Sequence, residues 1–237
     1  MIKAFTHSVY FHLINFLRIK QAVFFSLAFP VFLFVVFGNI WGINSDRYVI
    51  SLFTGVLGMT IASDGLFAIG PVIREYYASG IIKYLRRLPI NVLTYFIGLI
   101  ISRIMSLLLV LGVLIIVSRL MFGYSPAMSD LPHLVTGIVV GLFTFSFVGL
   151  CLSFSGVKNG NEKGLVNLAF FTVLFTSNAF YPVDMLNGII GMIGSFLPLN
   201  PVLALLRGEE IHPLCSLWLV IPMILFSILF RKIKFAR

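Results

Sequence analysis

Long apolar runs separated by short polar segments dominate the pattern of this chain. Each run is close to the roughly 20 residues that an α-helix needs to cross a bilayer. The pattern predicts six membrane-spanning helices, at residues 22–41, 48–71, 90–121, 133–157, 164–182 and 213–230. Pro30 and Pro222 fall inside the first and sixth runs, where proline is tolerated and bends the helix locally. We therefore predict an all-α polytopic membrane protein of a single domain, residues 1–237.

The segment before the first run has a helical pattern of its own. Its polar and apolar residues fall on different faces, with Ser8, His12 and Asn15 on one and Phe5, Val9, Leu13 and Phe16 on another. This pattern is typical of an amphipathic helix in a membrane interface. We predict such a helix within residues 1–21, at the inner surface. A short helix packed on the bundle is the alternative.

The segment between the fifth and sixth runs is also apolar. Residues 183–200, "VDMLNGIIGMIGSFLPLN", are too short and too rich in glycine to cross the membrane as one helix. Irregular backbone at membrane depth must be shielded by protein. We expect a short re-entrant helical segment in the outer leaflet.

Composition supports the membrane assignment. Hydrophobic residues make up 59% of the chain and charged residues 11%, whereas a soluble domain has about 25% charged residues. The net charge of +9 is explained first by orientation and by contact with anionic membrane lipids. No nucleic-acid-binding motif accompanies this charge, so a nucleic-acid partner is not predicted.

The basic residues also predict an orientation. With both termini in the cytoplasm, the cytosolic segments hold 13 of the 17 basic residues. The outer segments then hold only Arg47 and Arg207 among the basic residues, together with several acidic ones. This distribution follows the positive-inside rule. We expect a multi-pass protein of the plasma membrane with both termini cytoplasmic.

The connection at residues 72–89 is unusually polar for this chain. Its sequence permits about two helical turns that Gly80 ends, then a basic run leading back to the membrane. One interpretation is a lipid-facing basic loop. The other is a docking helix for a soluble partner, with Arg74, Glu75, Tyr76 and Tyr77 as anchors. The residues alone favour neither.

Two motifs in this sequence resemble those of a known family. The first, "REYYASGIIKYLRRLP", resembles the cytosolic coupling-helix region of type-2 ABC exporter permeases, with matches at Arg74, Glu75, Gly80, Leu85 and Pro89. The second, residues 178–208, is similar to the late signature of that family, with matches at Tyr181, Pro182, Leu197, Pro198 and Arg207. Lys83 departs from the family, which often has an acidic residue in that region.

The resemblance implies a permease subunit of an ATP-driven exporter. In that family the coupling helix contacts a soluble nucleotide-binding ATPase subunit, which assigns this role to Arg74, Glu75, Tyr76, Tyr77 and Gly80. The chain itself has no G-x-x-x-x-G-K-[ST] motif, so ATP and magnesium are expected on the partner subunit. Two ATPase copies and a second permease copy or paralogue are implied. An amphipathic or lipophilic substrate, such as a drug, an antimicrobial peptide or a lipid-linked molecule, suits the apolar spans.

Polar residues inside the predicted spans are candidates for function. Asp64 and Arg103 are expected to face the bundle interior, either as a structural ion pair or along the translocation path. Asn167 and Asn178 lie in the fifth run, where they predict either helix contacts or a polar stripe that faces substrate. The two cysteines and four histidines form no metal or catalytic motif.

Two other function classes account for the sequence less well. An ion-gradient-driven secondary transporter would use Asp64 as its ion site, but no inverted repeat or pair of broken helices is evident. An intramembrane enzyme would need a cluster of catalytic or metal-binding residues, and none is evident in the sequence. The exporter permease therefore remains the preferred hypothesis.

Overall fold

The structure is a computed structural model that describes residues 2–42, 45–85, 87, 92–155, 161–181, 188–210 and 213–232. All regular structure within these ranges is helical. The α-helices are α1 Ile2–Arg18, α2 Lys20–Val23, α3 Phe29–Phe37, α4 Asp46–Ser63, α5 Gly70–Ala78, α6 Ile81–Leu85, α7 Val92–Phe122, α8 Leu131–Ser153, α9 Asn161–Phe175, α10 Gly188–Phe196, α11 Leu199–Leu206 and α12 Pro213–Lys232. Three π-helical segments, Phe24–Ala28, Gly38–Gly42 and Asp64–Ile69, continue neighbouring helices.

Several helices match the length and composition of membrane spans. Within the described ranges five qualify, namely Phe24–Gly42, Arg47–Ala78, Thr94–Phe122, Leu131–Ser153 and Pro213–Phe230. The bent pair α10–α11, with an angle of 78° between its helices, makes a sixth if it counts as one span. The prediction of an all-α polytopic membrane protein is confirmed.

The second span is the centre of the bundle. It joins α4, the third π-helical segment and α5 into one helix of 32 residues, and two thirds of its apolar window is buried. Its buried side chains, including Leu52, Phe53 and Leu57, pack against α7, α8 and α11. Because lipid is as apolar as these side chains, close contact rather than exclusion of water must hold the helices together.

Glycines provide that close contact along the second span. A Cβ atom at Gly55 would collide with the backbone carbonyl of Ala179, and one at Gly70 would collide with the backbone of Gly149 on α8.

Between α8 and α12, the Cys151 thiol donates to the Pro222 carbonyl at 3.2 Å. Both cysteines are buried and free, as expected for packing residues.

The segment predicted as the fifth span, 164–182, differs most from expectation. α9 has 15 residues, so it is only about 22 Å long, short of the roughly 30 Å hydrocarbon core. The chain then continues in turns from Thr176 to Tyr181. The hydroxyls of Thr176 and Ser177 donate to carbonyls of the last helical turn, at 2.8 and 2.9 Å, and so end the helix.

The interfacial segment is helical, but its polar face is not in water. Ser8 and His12 are buried against α7, whereas Tyr10 and Phe11 are exposed. The reason is a polar partner on α7, since the Ser8 hydroxyl donates to the Tyr95 carbonyl at 3.3 Å. α1 is therefore packed on the bundle, the alternative weighed from the sequence.

The polar connection at 72–89 contains two helices rather than one. α5 extends the second span as far as Ala78, and Gly80 follows with a φ of +75° that only glycine adopts readily. The predicted basic run then begins as the short helix α6, which buries Ile82 and Leu85. Pro89 and Pro182, which belong to the family motifs, lie outside the described residues.

Candidate functional site

Polar contacts occur at three levels along the second span. We name the two ends outer and inner after the orientation predicted from the basic residues. The outer junction joins α4 to the segment around Arg207. The middle level surrounds Asp64. The inner junction joins α5 to α9 through Arg74. All three matter, because polar groups at membrane depth need partners within the protein.

The outer junction is built around the Arg207 guanidinium. Its Nε donates to the Thr54 hydroxyl at 3.1 Å. Its Nη2 donates to the Ser51 hydroxyl at 3.0 Å and to the Asn178 carbonyl at 2.9 Å. One side chain thus connects α4, the turn after α9 and the end of α11.

Further hydrogen bonds complete this junction. The backbone N–H of Asn178 donates to Oδ1 of Asn200 at 2.8 Å, and Trp218 Nε1 donates to the Phe196 carbonyl at 2.6 Å. The second bond satisfies a carbonyl at the end of α10, where the bent pair breaks. A cavity of about 220 Å³ adjoins the junction. Its lining residues are Asn178, Ser195, Asn200, Pro201, Ala204, Arg207 and Glu209.

At the middle level Asp64 is buried, with 3% of its surface exposed. Oδ1 accepts a hydrogen bond from the Ser26 hydroxyl at 3.1 Å, and Oδ2 has no hydrogen-bond partner in the structure. The Arg103 guanidinium lies 4.8 Å from the centre of the Phe16 ring on α1.

The direct Asp64–Arg103 ion pair that the sequence suggests is absent from this structure. Among the described residues, the ion pair that is formed joins Arg74 to Glu162. Asp64 instead accepts a hydrogen bond from the Ser26 hydroxyl on the first span, and Arg103 packs on the Phe16 ring of α1.

The inner junction brings together two residues that the sequence analysis does not connect. Arg74 Nη1 and Glu162 Oε2 form an ion pair between α5 and the first turn of α9. The side chains are 29% and 18% exposed. The pair borders a cavity of about 310 Å³ between α5, α8 and α9. Arg74 therefore has a partner within this chain and is not free to act only as a docking anchor.

The tyrosines of the predicted docking helix also have partners within the chain. Tyr76 packs against Tyr95 of α7 with ring centroids 5.9 Å apart. Tyr77 packs against Phe154 and Phe230, with centroids 6.1 and 5.2 Å apart. Both rings attach α5 to the bundle, since they lie on faces of the helix that meet other spans.

The exposed part of this region lies elsewhere. Glu75 on α5 is exposed, as are Ile81, Lys83 and Tyr84 on α6, and Tyr84 has 64% of its surface exposed. Arg87 after α6 is exposed as well. A soluble partner that binds at this end of the bundle would therefore meet Glu75 and α6 rather than the two tyrosines of α5.

Asn167 and Asn178 do not form one polar stripe. Asn167 is exposed on α9, whereas Asn178 lies beyond the end of that helix and belongs to the outer junction. The predicted stripe required a helix through residue 178, and α9 ends at Phe175.

The side chain of His12 shows how closely α1 is attached to α7. Its ring packs edge-on against Tyr95, with centroids 4.5 Å apart. Burial, together with the nearby charge of Arg103, lowers the pKa of His12 to about 4, against the opposing effect of a hydrogen bond to the Tyr95 backbone. His12 is therefore neutral near pH 7.

Sequence reasoning missed two residues of these junctions. Glu162 falls between the predicted spans 133–157 and 164–182, although an acidic residue in a first helical turn is a signal that could have marked it. Arg207 enters the sequence analysis as a motif match and as a basic residue of an outer segment, and nothing local identifies its partners on α4. Within the described ranges, no group of three or more His, Cys, Asp or Glu residues is placed to hold a metal ion.

The helices and these junctions define a multi-pass membrane protein. A family model described as "ABC-2 type transporter" matches residues 4–211, most of the chain. The chain therefore belongs to the ABC-2 type transporter family, as its motifs indicated. Comparison with individually curated proteins gives no significant match.

Membership in this family sets the general role of the chain. It is a permease of an ABC transporter, a component of membrane transport rather than a catalytic enzyme in itself. Membership also implies, in general terms, an ATPase partner and an oligomeric arrangement.

Proposed function

We propose that this chain is the membrane permease of an ATP-driven exporter in the plasma membrane, with both termini in the cytoplasm. Two soluble nucleotide-binding subunits would carry ATP and magnesium. A second copy of the chain, or a paralogue, would complete the path. The observation that carries this proposal is the exposed helix α6, which follows the left-handed Gly80 at the inner end of the second span.

The docking surface consists of Glu75, Ile81 and Tyr84 in this proposal. These side chains are exposed, and Ile82 and Leu85 attach the same short helix to the rest of the chain. An exposed aromatic side chain next to charged groups is a typical anchor of a protein interface. Arg74, Tyr76 and Tyr77 do not contact the partner in this proposal. They hold α5 in position through their contacts with α9, α7 and the end of α8.

The second span would carry the movement across the membrane. It is continuous from α4 to α5, so displacement of α6 tilts a single long helix. The π-helical segment Asp64–Ile69 interrupts its regular repeat and is the proposed hinge, since such segments often mark functional sites within helices. A rigid-body change between two arrangements of packed helices is a common form of switching.

An amphipathic or lipophilic substrate suits the exposed surface of α9. Leu168, Phe171 and Phe175 are exposed there, with 65, 51 and 70% of their surfaces accessible, and Asn167 adds a polar group. The same surface would lie next to the second copy, so substrate and partner would share an apolar boundary.

The docking surface can be tested by purification of the tagged permease from its native membranes. We expect a subunit with a P-loop motif to co-purify, identified by mass spectrometry, and ATP hydrolysis to accompany it. Glu75→Arg combined with Tyr84→Ala should release that subunit. Tyr10→Ala, at an exposed aromatic position on α1, is the matched control. Retention of the subunit by the double variant would contradict the assignment of α6.

The orientation needs its own test, in a background without Cys151 and Cys215. A cysteine at the exposed Ser129 should react with an impermeant thiol reagent from outside intact cells, and one at Tyr84 should react only after permeabilisation. Labelling of Tyr84→Cys from outside would overturn the proposed orientation.

A secondary transporter remains the second candidate because of one observation. Asp64 is buried and its Oδ2 has no hydrogen-bond partner, as expected of an ion or proton site. Transport into vesicles distinguishes the two. An exporter requires ATP and survives an ionophore, whereas a secondary transporter fails with the ionophore and ignores ATP.

A further inference from the structure

The Arg74–Glu162 ion pair joins two helices that otherwise meet through few buried side chains. On α9 the buried apolar residues are Val166, Val173 and Leu174. Glu162 lies in the first turn of α9, where the helix dipole favours a negative charge, so it has a local reason to stay in place. Arg74, on a long flexible side chain, is the partner that movement of α5 would withdraw.

The pair spans a cavity of about 310 Å³. One wall is α5, with Pro71, Arg74 and Ala78, and the opposite wall is α9, with Glu162 and Val166. Ser153 at the end of α8 closes the third side. Breaking the ion pair would let the two main walls separate, because the pair connects them directly.

Arg74 is also close to the proposed docking helix in the chain. It lies one turn before the end of α5, where the Ser79 hydroxyl donates to the Glu75 carbonyl at 2.7 Å, and Gly80 then turns the chain into α6. A shift of α6 would therefore reach Arg74 before it reaches the contacts of Asp64 or Arg207 further along the second span.

We propose that Arg74 is a positioning residue, whose ion pair with Glu162 holds α5 and α9 together across this cavity until movement of α6 breaks it. The cavity then becomes a cytosolic opening between the second span and α9. The force that moves α6 rests on the proposed exporter function, whereas the ion pair and the cavity do not. Direct contact of Arg74 with an ATPase is the competing explanation of the same residue.

Charge reversal distinguishes these explanations. The variants are Arg74→Glu, Glu162→Arg and the double exchange, each with Val166→Cys in a background without native cysteines. Val166 lines the cavity and is 1% exposed. Each single exchange should increase the rate of labelling of Val166→Cys by an impermeant thiol reagent in purified protein by about fivefold, the upper range for a partly exposed pair. The double exchange should restore slow labelling.

Two controls complete the design. Lys163→Glu changes a charge that borders the same cavity outside the ion pair, and labelling should stay at the wild-type rate. If a reversal prevents insertion, Arg74→Gln and Glu162→Gln give the same comparison without like charges. Equal labelling of all variants, or fast labelling of the double exchange, would overturn the proposal.

Hydrolysis gives a second readout, in the complex with its co-purified ATPase. Each single exchange should reduce transport per ATP hydrolysed, and the double exchange should restore it. If Arg74 instead contacts the ATPase, the double exchange stays uncoupled, which overturns the positioning role. Absence of a co-purified ATPase in the unmodified protein would refute the exporter function and leave the labelling result to decide the ion pair separately.

Discussion

The outer and inner junctions of the second span use the same residue type in different surroundings. At the outer junction Arg207 donates three hydrogen bonds to neutral oxygens on α4 and on the turn after α9. At the inner junction Arg74 forms one ion pair with Glu162, and both side chains are partly exposed.

The helices are also packed more closely around the outer junction than around the inner one. Near Arg207, Leu199, Val202 and Leu203 of α11 are fully buried, and Gly55 lies directly against a backbone carbonyl. A cavity adjoins each junction, of about 220 Å³ beside Arg207 and of about 310 Å³ beside Arg74. The elements at Arg207 are also joined by three hydrogen bonds and a backbone contact, whereas α5 and α9 are joined by one ion pair. Close-packed elements transmit displacement as rigid bodies, whereas elements with few contacts can move relative to one another. The comparison indicates a fixed outer end and an inner end that can open.

The largest expected effect is on the packing of the outer end. Gly55→Val would place side-chain atoms on the Ala179 carbonyl. We therefore expect the free energy of unfolding to fall by about 3 kcal/mol, the upper range for overpacking. Gly112→Val on α7 is the control, since nothing lies within 4 Å of a Cβ atom there. Thermal unfolding in detergent measures both, and equal unfolding temperatures would contradict a rigid outer end.

Removal of the outer arginine should have the next largest effect. Arg207→Met leaves the Asn178 carbonyl and two hydroxyl oxygens without their donor, which should cost about 2 kcal/mol. Arg47→Met, at an exposed position at the outer end of α4, is the matched control. The loss should persist at high salt because the partners are neutral. A loss that disappears in 1 M salt would assign the effect to surface charge.

Acid should loosen the inner end through α1. Because the pKa of His12 is lowered to about 4, below the unfolded value near 6.5, its contribution to stability is present above pH 6.5 and is lost as the pH falls towards 4. Between pH 6.5 and pH 5 the free energy of unfolding should fall by up to about 2 kcal/mol. His12→Gln should remove this part of the pH dependence, and an unchanged pH profile in that variant would refute it.

The smallest expected effect on stability is at the inner arginine. Arg74→Gln should lower the free energy of unfolding by no more than about 1 kcal/mol, because the pair is partly exposed, and salt should reduce the difference. Its effect on transport per ATP hydrolysed should nevertheless be large. A destabilisation equal to that of Arg207→Met would mean that the two ends do not differ as the comparison states.

The sequence predicted the class of fold and the family well. Five of the six predicted spans, at 22–41, 48–71, 90–121, 133–157 and 213–230, overlap helices of membrane length, and the motif residues Gly80 and Arg207 lie at structurally distinctive positions. These features depend on local properties, namely apolar length, the conformational freedom of glycine and the order of motifs along the chain.

The predictions that differed depended on distant partners. The end of α9 at Phe175, the burial of Ser8 and His12, and the inward packing of Tyr76 and Tyr77 each follow from contacts with another helix. Periodicity shows that a helix has two faces, but it does not show which neighbour a polar face will meet.

The sequence by itself thus determined that this chain crosses a membrane many times, which family it belongs to and where its polar connection lies. Tertiary structure alone decided which partner each arginine has, because Arg207 and Ser51 are 156 residues apart in the chain, and Arg74 and Glu162 come from separate helices. An arginine inside an apolar chain must find hydrogen-bond acceptors, and only the arrangement of the helices determines which ones are within reach.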